Sequence, residues 1–151
     1  MASLTVTSSK EIRCPIDVVR AQFTDLKHHI TNNVHRNLEF TLHSSDERRC
    51  DFTQGYRVLG FMRRDEIRLE READGSLHGK FVEGASQGTE TFVTFESLHS
   101  GSTRVQFKAV VPLRGLMALA KPLVKRQLER DIAKGLEEDR IDLEERGYPR
   151  A

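Results

Sequence analysis

Apolar and polar residues alternate with a period of two along most of this chain. Near its end the apolar positions recur every three or four residues, so the pattern predicts a long β region followed by a terminal helix. The first strand is expected from Leu4 to Ile12, where Leu4, Val6 and Ile12 share a face that Ser8 and Lys10 interrupt. Cys14-Pro15 ends it, and Pro15 suits the first turn of a helix carrying Ile16, Val19 and Phe23 at helical spacing. The polar stretch KHHITNNVHRN, with Asn32-Asn33 as a turn signal, has room for a second short helix.

From Leu38 the period is again two: Leu38, Phe40 and Leu42 alternate with Glu39, Thr41 and His43. A strand from Cys50 to Phe61 carries Tyr56, Val58 and Leu59, with Gly55 and Gly60 marking bulges or a bend that curves the sheet. Ile67 and Leu69 define the next strand, Asp74-Gly75 is a hairpin signal, and Leu77 to Glu83 returns. Thr89 to Leu98 and Thr103 to Val111 form a second hairpin around Ser100-Gly101, and Val105, Phe107, Ala109 and Val111 make the clearest inward face. Sequential strands on short turns give an antiparallel meander whose apolar face must be covered, and no βαβ rhythm interrupts it.

The cover is the stretch from Gly115 to Glu145, read as one helix about 45 Å long at 1.5 Å per residue. Leu116, Leu119, Ala120 and Leu123 share one face, while Val124, Leu128, Ile132 and Leu136 recur every four residues. Steps of four advance about 40° each, so the stripe winds and the two halves bury different sides against a curved surface. Pro122 lacks the N–H that Ala118 would receive, so the helix should bend or restart there, and Gly135 is a further weak point. Its basic start (Lys121, Lys125, Arg126) and acidic end (Glu137, Glu138, Asp139, Glu144, Glu145) oppose the macrodipole. Pairs such as Lys125 with Glu129 and Asp142 with Arg146 are expected to offset this on a solvated face.

The chain has 151 residues, 37% hydrophobic and 31% charged, with a net charge of +1, which suits one domain spanning 1–151. The interleaved charge argues against a nucleic-acid partner. No leader or transmembrane pattern is present, so the expected location is cytoplasmic. Cys14 and Cys50 are too few for a disulfide framework or a zinc knuckle and read as reduced and structural. His28, His29 and His35 read as solvated surface residues in preference to metal ligands, and no HExxH occurs. Gly84 to Gly88 lacks the lysine and helix start of a phosphate cradle, and Ser86 lacks a nucleophile elbow. Among polar strand residues, Gln54, Arg57, His78, Lys80, Glu83 and Gln106, any that face inward would need a partner or a polar group on a ligand.

Three segments together carry a family likeness: EIRCPIDVVRAQFTDL, GTETFVTFESLHSGSTRVQF and the terminal helix. Over nearly its whole length the chain resembles the START-like, or SRPBCC, superfamily, which includes the Bet v 1 allergens and the polyketide cyclase/dehydrase group. The resemblance implies an α+β fold in which a curved antiparallel sheet wraps around a long C-terminal helix, the helix-grip arrangement, with one or two short helices after the first strand. It further implies a cavity between sheet and helix that takes a small hydrophobic ligand such as a lipid, a polyketide or an aromatic compound. The expected lining is Tyr56, Phe81, Val93, Phe95, Phe107, Ala109, Leu116, Ala120 and Leu123. The superfamily shares no universal catalytic residues, so the resemblance transfers none, and neither a metal nor another cofactor is expected. A carrier or sensor and a cyclase/dehydratase-like enzyme using cavity acid/base residues remain the two readings. A third, a module presenting the helix to a protein partner, is weaker because the sheet already needs the apolar stripe.

Overall fold

The computed structural model describes residues 2–58 and 60–149. Strand β1 (Ser3–Ile12) is followed by α1 (Ile16–Thr24) and α2 (Leu26–Asn32), then by β2 (Glu39–Ser45), β3 (Arg49–Val58), β4 (Phe61–Arg71), β5 (Leu77–Gly84), β6 (Glu90–Ser97) and β7 (Thr103–Pro112). A single turn, α3 (Leu116–Leu119), leads into α4 (Lys121–Arg140), which ends in a π-helical turn over Ile141–Glu145. All seven strands form one antiparallel sheet in the order β1-β7-β6-β5-β4-β3-β2. β1 and β2 are therefore at opposite edges, and the α1–α2 pair spans the distance between them.

The hairpin between β3 and β4 falls earlier than the apolar run suggests. Val58 pairs with Phe61, and Gly60 takes φ +84° in the turn, so the expected strand from Cys50 to Phe61 is split and Gly60 is a turn residue, not a bulge. Leu59, expected on that strand, lies outside the described residues. Bulges do occur elsewhere, between Leu42 and Ser44 in β2 and opposite Glu66–Ile67, where β5 carries one extra residue.

Burial follows the predicted alternation on β1 and β7: Leu4, Val6 and Ile12 face the same side as Val105, Ala109 and Val111, and all six are buried. Lys10, on that same face, is neutralised by Glu137 of α4 at 3.2 Å. Leu4, Val6 and Leu113 pack with Val124, Leu128 and Ile132. Further along, Leu136 and Leu143 join Ile12, Val19, Leu77, Val93 and Val105 in the main core. A third cluster, Cys50, Phe52 and Ile67, packs with Leu26 of α2 and with Phe40, Leu42, Leu69 and Phe81. Both cysteines are free, and Cys50 is buried.

Pro122 produces a restart. It occupies the first turn of α4, where its missing N–H costs no bond, and Ala120, at φ −99° and ψ 24°, separates α3 from α4. This break corrects one expectation. Leu116, Leu119 and Leu123 were expected to share a buried face with Ala120, yet they are 82%, 83% and 68% exposed. Once the short α3 is decoupled from α4, the packed stripe begins only at Val124.

Candidate functional site

Antiparallel partners share a face of the sheet, so the register identifies the concave wall beneath α4. Tyr56 on β3, Phe81 on β5, Val93 and Phe95 on β6, and Phe107 and Ala109 on β7 all point to that wall. Val93 and Ala109 are buried, whereas Tyr56, Phe81, Phe95 and Phe107 are half-buried, as are Phe40 and Leu69 beside them. Helix α4 runs along β1, and the aromatic side chains on the concave side keep part of their surface exposed. Phe23 of α1 meets Phe95 edge-on at 5.5 Å, so α1 covers this apolar face at the Phe95 end of β6. Of the expected lining residues on the helix, Ala120 is half-buried and Leu116 and Leu123 project into solvent at the start of α3–α4. The β3–β4 hairpin with its exposed Phe61 is at the same end of the sheet as these leucines, as the pairings of Val58 with Phe61 and of Ser3 with Pro112 require.

The wall carries one polar cluster. Asp65, 1% exposed, lies opposite Gln54 and Gly84 on the concave side of β4. Its Oδ1 accepts the Ser86 backbone N–H at 2.6 Å, and Oδ2 has no hydrogen-bond partner among the described residues. Burial pushes the Asp65 carboxyl up, and the Ser86 N–H, the Tyr56 hydroxyl and the Arg63 charge offset this only in part. The Tyr56 hydroxyl is 3.2 Å from Ser86 Oγ. A carboxyl with raised proton affinity, a phenol and a hydroxyl therefore stand together at one end of the concave wall. Of the polar strand residues singled out in the sequence, only Gln54 faces this side. Arg57, His78, Lys80, Glu83 and Gln106 are on the convex face, where His78 stacks on Phe92 at 4.5 Å and Lys80 pairs with Glu70 at 3.6 Å.

A second polar constellation lies between α1–α2 and the end of α4, and it overturns the expectation that the histidines are solvated. Side chains of His28 and His29 are 8% and 7% exposed. His28 Nε2 is 2.7 Å from Asp142 Oδ2, and His29 Nε2 is 3.1 Å from Asp139 Oδ1. His35 meets Glu138 through Nδ1 at 3.1 Å and Asp139 through Nε2 at 3.4 Å. Buried Gln22 donates from Nε2 to Asp139 Oδ1 and Asp142 Oδ2, each at 3.0 Å. Adjacent histidines of a helix both point inward because the end of α4 crosses α2 and presents carboxylates to each. Burial disfavours the His35 imidazolium, but Asp139 and Glu138 outweigh it and lift the pKa to about 10. Burial likewise opposes ionisation of Asp139, and the charges and N–H groups of His35 and His29 reverse this, holding it well below the usual carboxylate range. Tyr148 donates to Asp25 Oδ2 at 2.7 Å, and burial together with that carboxylate raises its phenol.

The expected surface pairing of Asp142 with Arg146 is thus replaced by an inward-turned Asp142, whereas Lys125 and Glu129 pair at 3.8 Å as expected. Neither Asp65 nor the Gln22–Asp139–Asp142 set was singled out from the sequence as site residues. The one available signal was helical spacing: Leu136, Asp139 and Leu143 lie on one side of the helix, so Asp139 continues an apolar stripe.

No protein-family model and no curated protein sequence matches the chain. Solved structures do match, at identities low enough that they speak to fold alone. A protein of Thermus thermophilus is 18% identical with a TM-score of 0.80, covering 93% of this chain and 99% of its own. The Zhui aromatase/cyclase of Streptomyces sp. R1128 is 13% identical with a TM-score of 0.82, covering 98% of each chain. A START superfamily protein from Mycobacterium smegmatis is 16% identical with a TM-score of 0.71, covering 92% of this chain and 98% of its own. The chain has the helix-grip fold of the START-like, or SRPBCC, proteins.

Proposed function

We propose that this protein, as a single START-like domain over 1–151, binds a small hydrophobic ligand in a groove between the concave wall and α4. The observation that carries the reading is the row of half-buried rings, Phe40, Phe81, Phe95 and Phe107, left partly uncovered on the wall of a sheet whose fold otherwise buries such groups. A lipid, a polyketide or a fused aromatic with one polar end suits it: the apolar body lies along the rings, and a hydroxyl or carbonyl meets the Tyr56–Ser86–Asp65 group. Unpaired Cys14 and Cys50 fit a reducing, cytoplasmic setting.

Asp65 favours a second reading, a cyclase or dehydratase-like activity. A buried carboxyl with raised proton affinity can pass a proton to a carbonyl or hydroxyl oxygen, and the Tyr56 hydroxyl can stabilise an enolate as it forms. The structures named above include an aromatase/cyclase, so the second reading has precedent in this fold.

The test is a fluorescent fatty-acid or naphthalene probe titrated against the wild type, Phe81→Ala and Phe107→Ala. Micromolar binding, about −8 kcal/mol, is expected for the wild type, and a loss of tenfold or more, about 1.4 kcal/mol, for each variant. Equal binding by all three removes the groove as the site.

A further inference from the structure

From the convergence of His29, His35 and Asp139 we infer a binding site for a divalent first-row transition-metal ion between α2 and α4, held by His29 Nε2, His35 Nε2 and a carboxylate oxygen of Asp139. The ligand atoms lie within 4.8 Å of one another. The two nitrogen-to-oxygen separations, 3.1 and 3.4 Å, bracket the edge of about 3.3 Å expected for a tetrahedron with bonds near 2.0 Å.

The other ring nitrogens orient the donors. His29 Nδ1 is 2.9 Å from the Asp25 backbone carbonyl, an acceptor only, so Nδ1 carries the hydrogen. His35 Nδ1 faces the Glu138 carboxylate, again an acceptor. With both Nδ1 positions facing acceptors, both Nε2 atoms meet the same Asp139 oxygen, where a metal ion would take the place of the hydrogens that now bridge nitrogen and oxygen. Backbone carbonyls and carboxylates behind the imidazoles are the outer-shell arrangement that metal-bound histidines use. The rings stack at 5.3 Å, 27° from parallel, which fixes their relative aim.

A second, independent observation is Gln22. It is fully buried, its Nε2 fixes Asp139, and its Oε1 has no partner among the described residues. An amide oxygen left unpaired in a buried polar cluster costs on the order of 1–3 kcal/mol, and an ion or its bound water would satisfy it. Two imidazoles and one carboxylate favour Zn²⁺, Fe²⁺ or Co²⁺ over Mg²⁺ or Ca²⁺, and three protein ligands leave coordination positions open to water or a ligand atom. The His35 ring meets Phe40 at 6.3 Å, and Phe40 meets Phe52 at 5.8 Å, so these positions border the β2 end of the concave wall.

The experiment uses the full chain, stripped with chelator and titrated with Co²⁺. The expected result is saturation at one equivalent, ligand-field absorption bands of an ion bound by nitrogen and oxygen, and a rise in thermal midpoint that Mg²⁺ does not reproduce. Glu138→Gln, which removes only the carboxylate behind His35, should weaken Co²⁺ roughly tenfold or more, and His78→Ala on the convex face should leave binding unchanged. Substituting the buried ligands risks unfolding, so the wild type supplies its own assignment: Zn²⁺ should shift the Nε2 resonances of His29 and His35 and leave those of His78 and His99 in place. Absence of saturable Co²⁺ binding by the wild type overturns the site. So does binding that Glu138→Gln leaves intact, or Zn²⁺ shifts confined to other histidines. Failure of the hydrophobic probe to bind would leave this site standing, because the two tests read different residues.

Discussion

His28 Nε2 stands 2.7 Å from Asp142 Oδ2, joining residues 114 positions apart and pinning α2 to the end of the terminal helix in an environment almost closed to water. Removing the imidazole takes one of the partners from a carboxylate that water hardly reaches, so His28→Ala should cost about 3 kcal/mol of unfolding free energy. The exposed Lys125–Glu129 pair offers the contrast, and Lys125→Ala should cost under about 0.5 kcal/mol. Urea unfolding of both variants checks the difference, and equal midpoints would mean that the α2–α4 junction contributes little.

Asp65 gives the folded state a pH dependence of definite sign. Its carboxyl keeps its proton to higher pH in the folded protein than in the unfolded chain, so this residue's contribution to stability falls as pH rises from the ordinary aspartate value, 3.8, through the raised one. Asp65→Asn removes the titration. The variant should match or trail the wild type at the acid end and exceed it in stability near pH 7, as urea midpoints across that range would show. Curves that run parallel would place the carboxylate in a solvated setting.

Gly84 adopts φ +117°, and a Cβ there would collide with the Arg64 carbonyl oxygen. Backbone atoms cannot swing aside as a flexible side chain can. Gly84→Ala should therefore destabilise by at least about 2 kcal/mol, whereas Gly101→Ala, with open space around its Cβ, should cost about 1 kcal/mol from its positive φ alone. Thermal melts of the two variants read this difference directly.

Exposed leucines predict the opposite behaviour. Leu116, Leu119 and Leu123 contribute little to the packed state, so their triple replacement by serine should change unfolding free energy by under about 0.5 kcal/mol per site. The same protein should take up the hydrophobic probe more slowly if the ligand enters past them, which stopped-flow fluorescence would detect.

The strands were legible because most have one wet face, and alternation survives wherever one face is wet. Val105, Ala109 and Val111 show it plainly. The terminal helix was legible for the same reason from Val124 onward. What misled upstream of it was the premise that an apolar stripe must be buried: the break at Ala120 detaches Leu116 and Leu119 from the packed helix, and no periodicity registers a detachment. Asp65 was hidden in the charged run Arg63-Arg64-Asp65-Glu66, where alternation has nothing apolar to follow. The His–Asp constellation was illegible for a different cause. His29 and Asp139 meet only because two helices cross, and spacing within either helix carries no trace of the other.

The strand order also sets a timetable for a chain leaving the ribosome. β1 emerges first, yet its only sheet partner among the described residues is β7, with Ser3 opposite Pro112. At synthesis rates of about 5–20 residues per second, the first strand waits on the order of 5–20 s for that partner, and longer for the helix that covers Leu4 and Val6. Throughout that interval two of the most deeply buried residues of the finished protein are in water on a nascent chain. Strand β1 is thus a natural client for a ribosome-associated chaperone, and the sheet can close only after β7 has emerged.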